Sequence, residues 1–301
     1  MGDRRVNDMQ RVLAIDIGGT KMEVGVVDVD AGIVERRRAA STEVADAEEL
    51  FGRLTTLIDE VVSTGAADGV TVCGVGCGGP MRPGGEAVSP LNITVWRDFP
   101  LRGRIAEHTG MTVFVDNDAK ALALAEAWKG AARGVRDFVG MVVSTGVGGG
   151  IVLDGRLLDG ASGNAGHIGH IVVEPDGTET PGHIRGVLEA EASGTAIAFR
   201  TGRPAAEADA AERERVATLV GRAVGSVANL LDLQLAVVAG SVALGYGDAF
   251  FATAQAEIDR VAALQHSRGT TIVPGELGAD GPLIGAGAVG LRAFGHDVGV
   301  T

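Results

Sequence analysis

The sequence has few cysteines, few aromatic residues and no excess of basic charge. Cys73 and Cys77 are its only cysteines, and their C-x3-C spacing matches neither a zinc knuckle nor a thioredoxin-type motif, so we expect buried, reduced thiols. Aromatic residues make up 4% of the chain, which argues against a stacking surface for single-stranded nucleic acid. The formal net charge of −13 disfavours contact with a phosphate backbone. We therefore expect no nucleic-acid partner.

The chain also lacks long hydrophobic runs. No stretch approaches the roughly 20 apolar residues of a membrane-spanning helix, and the N-terminal MGDRRVNDMQ lacks the apolar core of a signal peptide. These observations predict a soluble, cytoplasmic protein with no membrane partner. Hydrophobic residues make up 46% of the 301 residues, enough for one large domain or two smaller ones.

Apolar, β-branched runs and glycine turns divide the chain into two similar halves. RVLAIDI and MEVGVVDVD flank the turn GGTK and predict a hairpin, and DFVGMVVSTGVGGGIVLDGRLL repeats this pattern. Further strands are predicted at IVERRRAA, GVTVCGVG, MTVFVD, LAVVAG and TTIVP. Helices are predicted at about 46–64, from Asp118, within 205–231, near 246–264 and in PLIGAGAVGLRAF, which should pack back on the first half. The repeat predicts an internal duplication of two α/β halves.

The segment DIGGTK combines a carboxylate at a strand end with a glycine turn. The N–H groups of such a turn can approach phosphate oxygens, Asp16 can hold Mg2+ through water, and Thr20 and Lys21 would lie near a transferred phosphoryl group. Aspartate and glycine also dominate ordinary hairpin turns, so this motif alone leaves both interpretations open. A second such turn, STGVGGG at 144–150, favours phosphate binding.

The segment VDNDAK places Asp118 between a predicted strand and a predicted helix. The helix dipole favours an ionised carboxylate there, and such a group can take the proton of a sugar hydroxyl that attacks phosphorus. Asn117 or Asp118 could instead only cap the helix, which is common for both residue types. From the residues alone, capping is the simpler interpretation.

Five motifs together resemble one family. DIGGTK, NDA, STGVGGG, GHIGH and VVAGS occur in the order and at the spacings of the ROK family (repressor, open reading frame, kinase), from residue 11 to about 292. The resemblance implies sugar kinase activity and an α/β, two-domain actin-like ATPase (ribonuclease H-like) fold, with duplicated halves around a cleft. The domains would be a small one at 11–117 plus about 284–301 and a large one at 118–283. It also implies ATP and Mg2+ as cofactors, a sugar's primary hydroxyl as acceptor, and a homodimer.

The same resemblance assigns roles to individual residues. Asp118 becomes the catalytic base. The residues expected to bind ATP and its metal are Asp16, Gly18, Gly19, Thr20, Lys21, Thr145, Gly146, Gly240 and Ser241. The residues expected to bind the sugar are Gly79, Asn92, Asn117, Asp118, His167, His170 and Glu189.

The segment ASGNAGHIGHIV departs from the family pattern. Most members carry glutamate in place of His167, and the histidine equivalent to His170 normally joins three cysteines on a structural zinc. This chain has no cysteine after Cys77, and near the expected cysteine positions only His183 could join His170 on a metal. Two ligands are too few for a closed zinc site, so we expect no structural zinc.

His167 replaces a charged acceptor with a neutral group of mixed donor and acceptor character. Such a change should alter recognition near carbons 1 and 2 of the sugar. Bacterial N-acetylmannosamine kinases also have histidine at this place, so N-acetylmannosamine is the expected substrate, with glucose, mannose and N-acetylglucosamine as alternatives. A hydrogen-bonded structural histidine is the other interpretation of His167.

Two other classes of protein agree less well with the sequence than a kinase does. Repressors of the family carry an N-terminal winged-helix domain, whereas here the first predicted strand begins at Arg11 and the chain is acidic. A non-catalytic sugar-binding protein would not need Asp118 and both phosphate turns. We therefore expect an enzyme.

Overall fold

The computed structural model describes residues 10–179 and 184–301, which form two α/β units. Unit 1 comprises Met1–Lys129, Asp159–Ala165 and Ala279–Thr301, and unit 2 comprises Gly130–Leu158 and Gly166–Gly278. Helix Asp118–Lys129 belongs to unit 1 because it packs against the C-terminal helix, and the short segment 159–165 also belongs there.

Unit 1 is built on a five-stranded sheet of order β3-β2-β1-β4-β5. Its strands are β1 (Arg11–Ile17), β2 (Lys21–Asp28), β3 (Ile33–Ala40), β4 (Val72–Cys77) and β5 (Thr112–Asn117). Strands β1, β2 and β3 pair antiparallel, whereas β4 and β5 run parallel to β1. The helices of unit 1 are α1 (Ala47–Ser63), α2 (Leu101–Thr109), α3 (Asp118–Lys129) and α9 (Gly281–Ala293).

Helix α1 shows how the local sequence determines an element of this unit. Asp46 caps it, because its side chain accepts hydrogen bonds from the backbone N–H groups of Glu48 and Glu49. Its apolar residues recur at helical spacing and form one buried face, which consists of Leu50, Phe51, Leu54, Leu57, Ile58 and Val61. This face joins the buried side chains of β1, β2 and β4 in the core of unit 1. The predicted helix at about 46–64 is therefore confirmed.

Unit 2 repeats the sheet of unit 1. Its strands are β6 (Phe138–Val143), β7 (Val147–Leu153), β8 (Arg156–Leu157), β9 (Leu235–Ala239) and β10 (Thr271–Pro274), in the order β10-β9-β6-β7-β8. Strands β6, β7 and β8 pair antiparallel, and β9 and β10 run parallel to β6. Both sheets thus share one strand order and one pattern of directions, which confirms the predicted duplication.

The two long helices of unit 2 were predicted from the sequence, whereas its three short ones were not. They are α4 (Leu188–Ala192), α5 (Gly194–Thr201), α6 (Ala210–Leu231), α7 (Ser241–Tyr246) and α8 (Asp248–Val261). The helix predicted near 246–264 is confirmed as α8, and Gly247, with φ 67° and ψ −157°, separates it from the short α7. In the ranges that the structure describes, no helix has both the length and the apolar character of a membrane span.

Glycines let α9 pack closely on β4 and α3. A Cβ on Gly74 of β4 would lie 2.0 Å from the carbonyl oxygen of Ala286, and one on Gly285 would lie 2.5 Å from the carbonyl oxygen of Ala121. Backbone therefore meets backbone where side chains would collide. The helix predicted in PLIGAGAVGLRAF does pack on the first half of the chain, where it contacts β1, β4 and α3, the helix that begins with Asp118.

Candidate active site

Asp16 and Asp118 approach each other in unit 1 across Gly76. Asp16 of β1 is paired in register with Gly76 of the parallel strand β4. A Cβ on Gly76 would lie 3.6 Å from Asp16 Oδ1 and 3.6 Å from the Cα of Asp118. The missing side chain at Gly76 leaves the space between the two aspartates open. The structure thus brings together the predicted metal-binding and base residues.

The buried position of Asp16 explains why it suits a cation. Burial, together with the negative charges of Asp118 and Glu23, raises the pKa of Asp16 from 3.8 to about 8, and Lys21 opposes this rise. The carboxyl group therefore favours its protonated form near neutral pH when no cation is present. A divalent cation would stabilise the ionised form, and carboxylate oxygens are ligands that Mg2+ accepts. Asp16 thus fits the metal-binding role that the sequence suggested.

The glycine turn after β1 is fixed by Ser41 from the end of β3. The N–H of Gly18 donates to the carbonyl oxygen of Lys21 at 2.9 Å. Ser41 Oγ donates to the carbonyl oxygen of Gly18 at 2.7 Å. The N–H of Ser41 donates to the carbonyl oxygen of Thr20 at 3.1 Å. A Cβ on Gly19 would lie 2.7 Å from the Cβ of Asn92. The predicted phosphate turn therefore lies directly against a predicted sugar residue.

Lys21 is held by a buried carboxylate that the sequence analysis did not single out. Its Nζ lies 2.6 Å from Oε1 of Glu23, a fully buried residue of β2. Arg38 contributes a second cation, with its Nε 3.0 Å from the same oxygen. Arg36 is a third, with its Nε 3.5 Å from the other carboxylate oxygen. Three cations around one carboxylate leave positive charge at the end of the sheet where Lys21 lies.

Asn117, rather than Asp118, caps helix α3. Asn117 Oδ1 accepts from the N–H of Ala119 at 3.0 Å and from that of Lys120 at 3.4 Å, which are the second and third positions of the helix. Of these two N–H groups, Asp118 Oδ1 accepts from that of Ala119, at 2.9 Å. The asparagine therefore caps the first N–H groups of the helix. Helix capping does not account for the aspartate at position 118.

Gly79 and Asn92 lie in two segments of unit 1 that are joined by hydrogen bonding. The N–H of Leu91, next to Asn92, donates to the carbonyl oxygen of Gly79 at 3.1 Å. Asn92 is exposed, and its neighbour Ile93 is buried and anchors the segment. Four predicted sugar residues, namely Gly79, Asn92, Asn117 and Asp118, thus belong to unit 1.

The second glycine turn, in unit 2, lies beside the start of α7. Ser144 N–H donates to the carbonyl oxygen of Gly146 at 2.9 Å, and Ser144 Oγ lies 3.0 Å from Ser241 Oγ. Gly240 has φ 100°, and a Cβ there would lie 2.4 Å from the carbonyl oxygen of Val143. Only glycine fits this close crossing. The two predicted nucleotide turns of unit 2 are therefore neighbours.

Thr145 is oriented by residues at the start of α5. Its carbonyl oxygen accepts from Thr195 Oγ1 at 2.9 Å. The N–H of Gly194 donates to the carbonyl oxygen of Ser144 at 2.7 Å. The turn backbone is thus fixed by hydrogen bonds to α5, so that it is preorganised for a ligand.

His167, His170 and Glu189 form a cluster in unit 2. The two imidazole rings meet edge to face, with centroids 5.8 Å apart. Oε2 of Glu189 accepts from the N–H of Val147 at 2.6 Å, which ties α4 to β7. Burial lowers the pKa of His167, the neighbouring His170 lowers it further, and Glu189 opposes them. His167 is therefore a neutral imidazole at pH 7, as the sequence predicted for a group that replaces glutamate.

The described residues near His170 supply too few ligands for a structural zinc ion. Within residues 10–179 and 184–301, no three or more His, Cys, Asp or Glu side chains could hold one metal ion together. His183, which the sequence offers as a second ligand beside His170, lies outside the described residues. The buried carboxylate of Glu191 instead accepts from the N–H of Thr178 and from the Arg215 guanidinium. Charge-assisted hydrogen bonds thus hold residue 178 to α4 and α6.

Removal of divalent metals should leave the stability of the protein unchanged. We expect EDTA treatment to shift the melting temperature by less than about 2 °C, because a loss of 1 kcal/mol would already shift it by about 2–4 °C for a domain of 150–250 residues. Calorimetry with and without EDTA, together with metal analysis of the purified protein, checks this. One bound zinc per chain whose removal lowers the melting temperature would contradict it.

Four residues that the sequence analysis passed over lie close to the predicted site. Lys120 is 1% exposed, and its Nζ lies 2.8 Å from Asp116 Oδ1 and 2.7 Å from Asp159 Oδ1. Asn164 bonds to the backbone of Met81. A signal for Lys120 was present, because it is a charged residue within the apolar helix sequence DAKALALAEAW, four residues after Asp116. No local pattern indicated Asp159 or Asn164.

Comparison with known proteins agrees with this arrangement. The profile of the ROK family matches residues 12–292. Over 251 residues the chain is 38% identical to the N-acetylmannosamine kinase of Citrobacter koseri. The aligned region covers 78% of this chain and 84% of that protein. The ROK hexokinase structure from Thermus thermophilus superposes with a TM-score of 0.80 at 30% identity, covering 94% of this chain and 98% of that one.

A further solved structure is a ROK-family glucokinase from Streptomyces griseus in complex with glucose and AMPPNP. It matches with a TM-score of 0.79 at 27% identity and covers 94% of this chain and 99% of that one. The two duplicated α/β units are therefore those of the actin-like ATPase fold. The chain belongs to the ROK family.

Proposed function

We propose that this ROK-family carbohydrate kinase transfers the γ-phosphate of ATP to the 6-hydroxyl of N-acetylmannosamine. The observation that carries the proposal is the pair of aspartates, Asp16 and Asp118, across Gly76 and beside the glycine turn of β1 and β2. The similarity to the C. koseri N-acetylmannosamine kinase supports the choice of sugar. The S. griseus glucokinase, which holds glucose and an ATP analogue, supports the choice of reaction.

The chemistry divides between the two aspartates of unit 1. Asp118 accepts the proton of the 6-hydroxyl as that oxygen forms a bond to the γ-phosphorus, while the bond from this phosphorus to the oxygen bridging it to the β-phosphate breaks and ADP leaves. Asp16 would hold Mg2+, which supplies positive charge for the phosphate oxygens when bound. Lys21 and the N–H groups of the 18–20 turn add positive charge on the same side of the sheet.

Unit 2 contributes the second nucleotide turn and the imidazole pair. In the proposal, Thr145, Gly146, Gly240 and Ser241 bind the nucleotide. His167, His170 and Glu189 bind the sugar. The neutral His167 can donate to the N-acetyl carbonyl oxygen or accept from a sugar hydroxyl, whereas a glutamate can only accept when ionised. By the sequence resemblance, the enzyme acts as a cytoplasmic homodimer.

ADP release from the purified protein with Mg·ATP tests the proposal directly. The assay uses N-acetylmannosamine, N-acetylglucosamine, glucose and mannose in parallel. A preference for N-acetylmannosamine supports the proposal. A preference for glucose or mannose keeps the kinase and rejects the substrate, which would favour the glucokinase that the S. griseus structure exemplifies. Silence with all four sugars contradicts the proposal and favours a non-catalytic sugar-binding protein.

His167→Glu should change substrate preference more than overall activity. We expect the ratio of kcat/KM for N-acetylmannosamine to that for glucose to fall about tenfold or more, which corresponds to roughly 1.4 kcal/mol. The physical reason is that the variant loses the donor facing the N-acetyl group and gains a charged acceptor. The exposed His266, on the segment after α8, provides the control variant His266→Glu. An unchanged ratio in His167→Glu would make His167 a structural residue.

A further inference from the structure

We propose that Lys120 is a positioning residue for Asn117 and Asp118, because it joins the carboxylates of Asp116 and Asp159 around the junction of β5 and α3. This inference rests on the proposed function, since its effect is measured on the sugar kinase reaction. Lys120 itself is assigned no contact with substrate.

The ammonium group of Lys120 is buried and surrounded by hydrogen-bond acceptors. The side chain is 1% exposed, and a buried charge is costly unless it is paired and hydrogen-bonded. An ammonium has three N–H donors. Nζ meets three acceptors, namely Asp116 Oδ1 at 2.8 Å, Asp159 Oδ1 at 2.7 Å and the carbonyl oxygen of Gly163 at 3.4 Å. Each donor therefore has a partner in the folded unit.

The Asp116–Lys120 pair encloses the two residues that matter for the reaction. Asp116 is the second-last residue of β5, directly before Asn117, and Lys120 lies in the first turn of α3. The carboxylate of Asp116 also accepts from the N–H of Asn117 at 2.8 Å. The ion pair thus closes a ring across the junction that includes Asn117 and Asp118. This ring restricts the backbone from which the Asp118 carboxylate projects.

Asp159 extends this restraint to the segment 159–165. That segment is closed on itself by the hydrogen bond from Ala165 N–H to the Asp159 carbonyl oxygen at 3.0 Å. Asn164 accepts from the N–H of Met81 at 3.0 Å and donates to its carbonyl oxygen at 2.8 Å. Met81 follows Gly79 by two residues in the chain. The segment is therefore attached at one end beside Gly79 and at the other, through Lys120, beside Asp118.

The experiment compares Lys120→Met with Lys129→Met. Both variants exchange a lysine of α3 for methionine, but Lys129 lies at the far end of the helix, and its Nζ is 4.0 Å from the exposed Asp30. In Lys120→Met we expect kcat per sugar-binding site to fall roughly 100-fold, the loss that a misplacement of about 1 Å can cause. The KM for ATP should stay within about twofold, and Lys129→Met should match the wild type.

Calorimetric titration with the preferred sugar gives the number of binding-competent sites in each variant. A residue that only stabilises the fold would lower this number or the melting temperature, and it would leave kcat per competent site unchanged. That outcome overturns the proposal. A fall in kcat with about one competent site per chain supports it.

Asp159→Asn keeps the proposal testable if Lys120→Met does not fold. Asp159 is 60% exposed, and the variant retains the Asp116–Lys120 pair, so its fold should survive. We expect a fall in kcat of roughly tenfold, and wild-type kcat in this variant would contradict the role of the segment. A wild type that is silent with all four sugars contradicts the proposed function, whereas an active wild type with an equally active Lys120→Met contradicts only the role of Lys120.

Discussion

Asp118→Asn should lower kcat by about three orders of magnitude or more, since a general base contributes roughly 10²–10⁴-fold. The amide cannot accept the proton of the sugar hydroxyl at neutral pH. Helix α3 should begin as before, because Asn117 supplies its cap. Sugar affinity should therefore change only a few fold. Initial rates of ADP release and calorimetric titration with the sugar measure the two quantities separately.

Asp46→Asn provides the matched control for this variant. Asp46 also starts a helix of unit 1, and it caps α1 through its side chain. Asparagine is about as good a cap as aspartate, so kcat and stability should both match the wild type. A fall in kcat of less than about tenfold in Asp118→Asn would show that Asp118 is not the base.

Asp16→Asn should stabilise the metal-free protein while it abolishes Mg2+-dependent phosphoryl transfer. Burial, with the charges of Asp118 and Glu23, raises the pKa of Asp16 from 3.8 to about 8. The folded state therefore binds this proton more tightly than the unfolded state does. At pH 7 the variant should gain roughly 2–4 kcal/mol in free energy of unfolding, because it carries no group to ionise. Urea unfolding in EDTA measures the gain.

The pH dependence of this gain follows from the direction of the pKa change. The contribution of Asp16 to stability is fully present below pH 3.8 and is lost progressively as the pH rises to about 8. The advantage of the variant over the wild type should therefore grow between pH 5 and pH 8 and then level off. Asp68→Asn, at an exposed aspartate of unit 1, should show no such trend. A constant difference across this range would contradict the raised pKa.

Local patterns were sufficient to predict most of the fold. The hairpin of β1 and β2 and its repeat in β6 and β7 follow from alternating apolar residues and glycine turns, which depend on neighbours in sequence. The short helix α7 was not predicted because its six residues, between Gly240 and Gly247, are too few to show a helical period. The assignment of segment 159–165 to unit 1 was missed because it depends on contacts with Lys120 and Met81, which are distant in sequence.

The candidate site was predictable to the extent that its residues lie in motifs. Asp16 lies near the end of β1 and Asp118 directly follows β5, and both strands pair in parallel with β4, which brings the two residues to one edge of the sheet. The sequence could not decide between Asn117 and Asp118 as the helix cap, because the two residue types are equivalent caps. The hydrogen-bond geometry made that decision. Glu23 lies outside every motif, and its importance depends on burial, which the sequence does not display.

The place of α9 in unit 1 has a consequence for synthesis of the chain on the ribosome. Strands β1 and β4 emerge first, but the glycine-rich helix that covers them is made only after nearly all of unit 2. At about 5–20 residues per second, the apolar face of the nascent sheet waits on the order of ten seconds or more for its cover. Unit 2 can close its own core during this interval. The N-terminal sheet is thus the first part of the fold to be synthesised and the last to be completed.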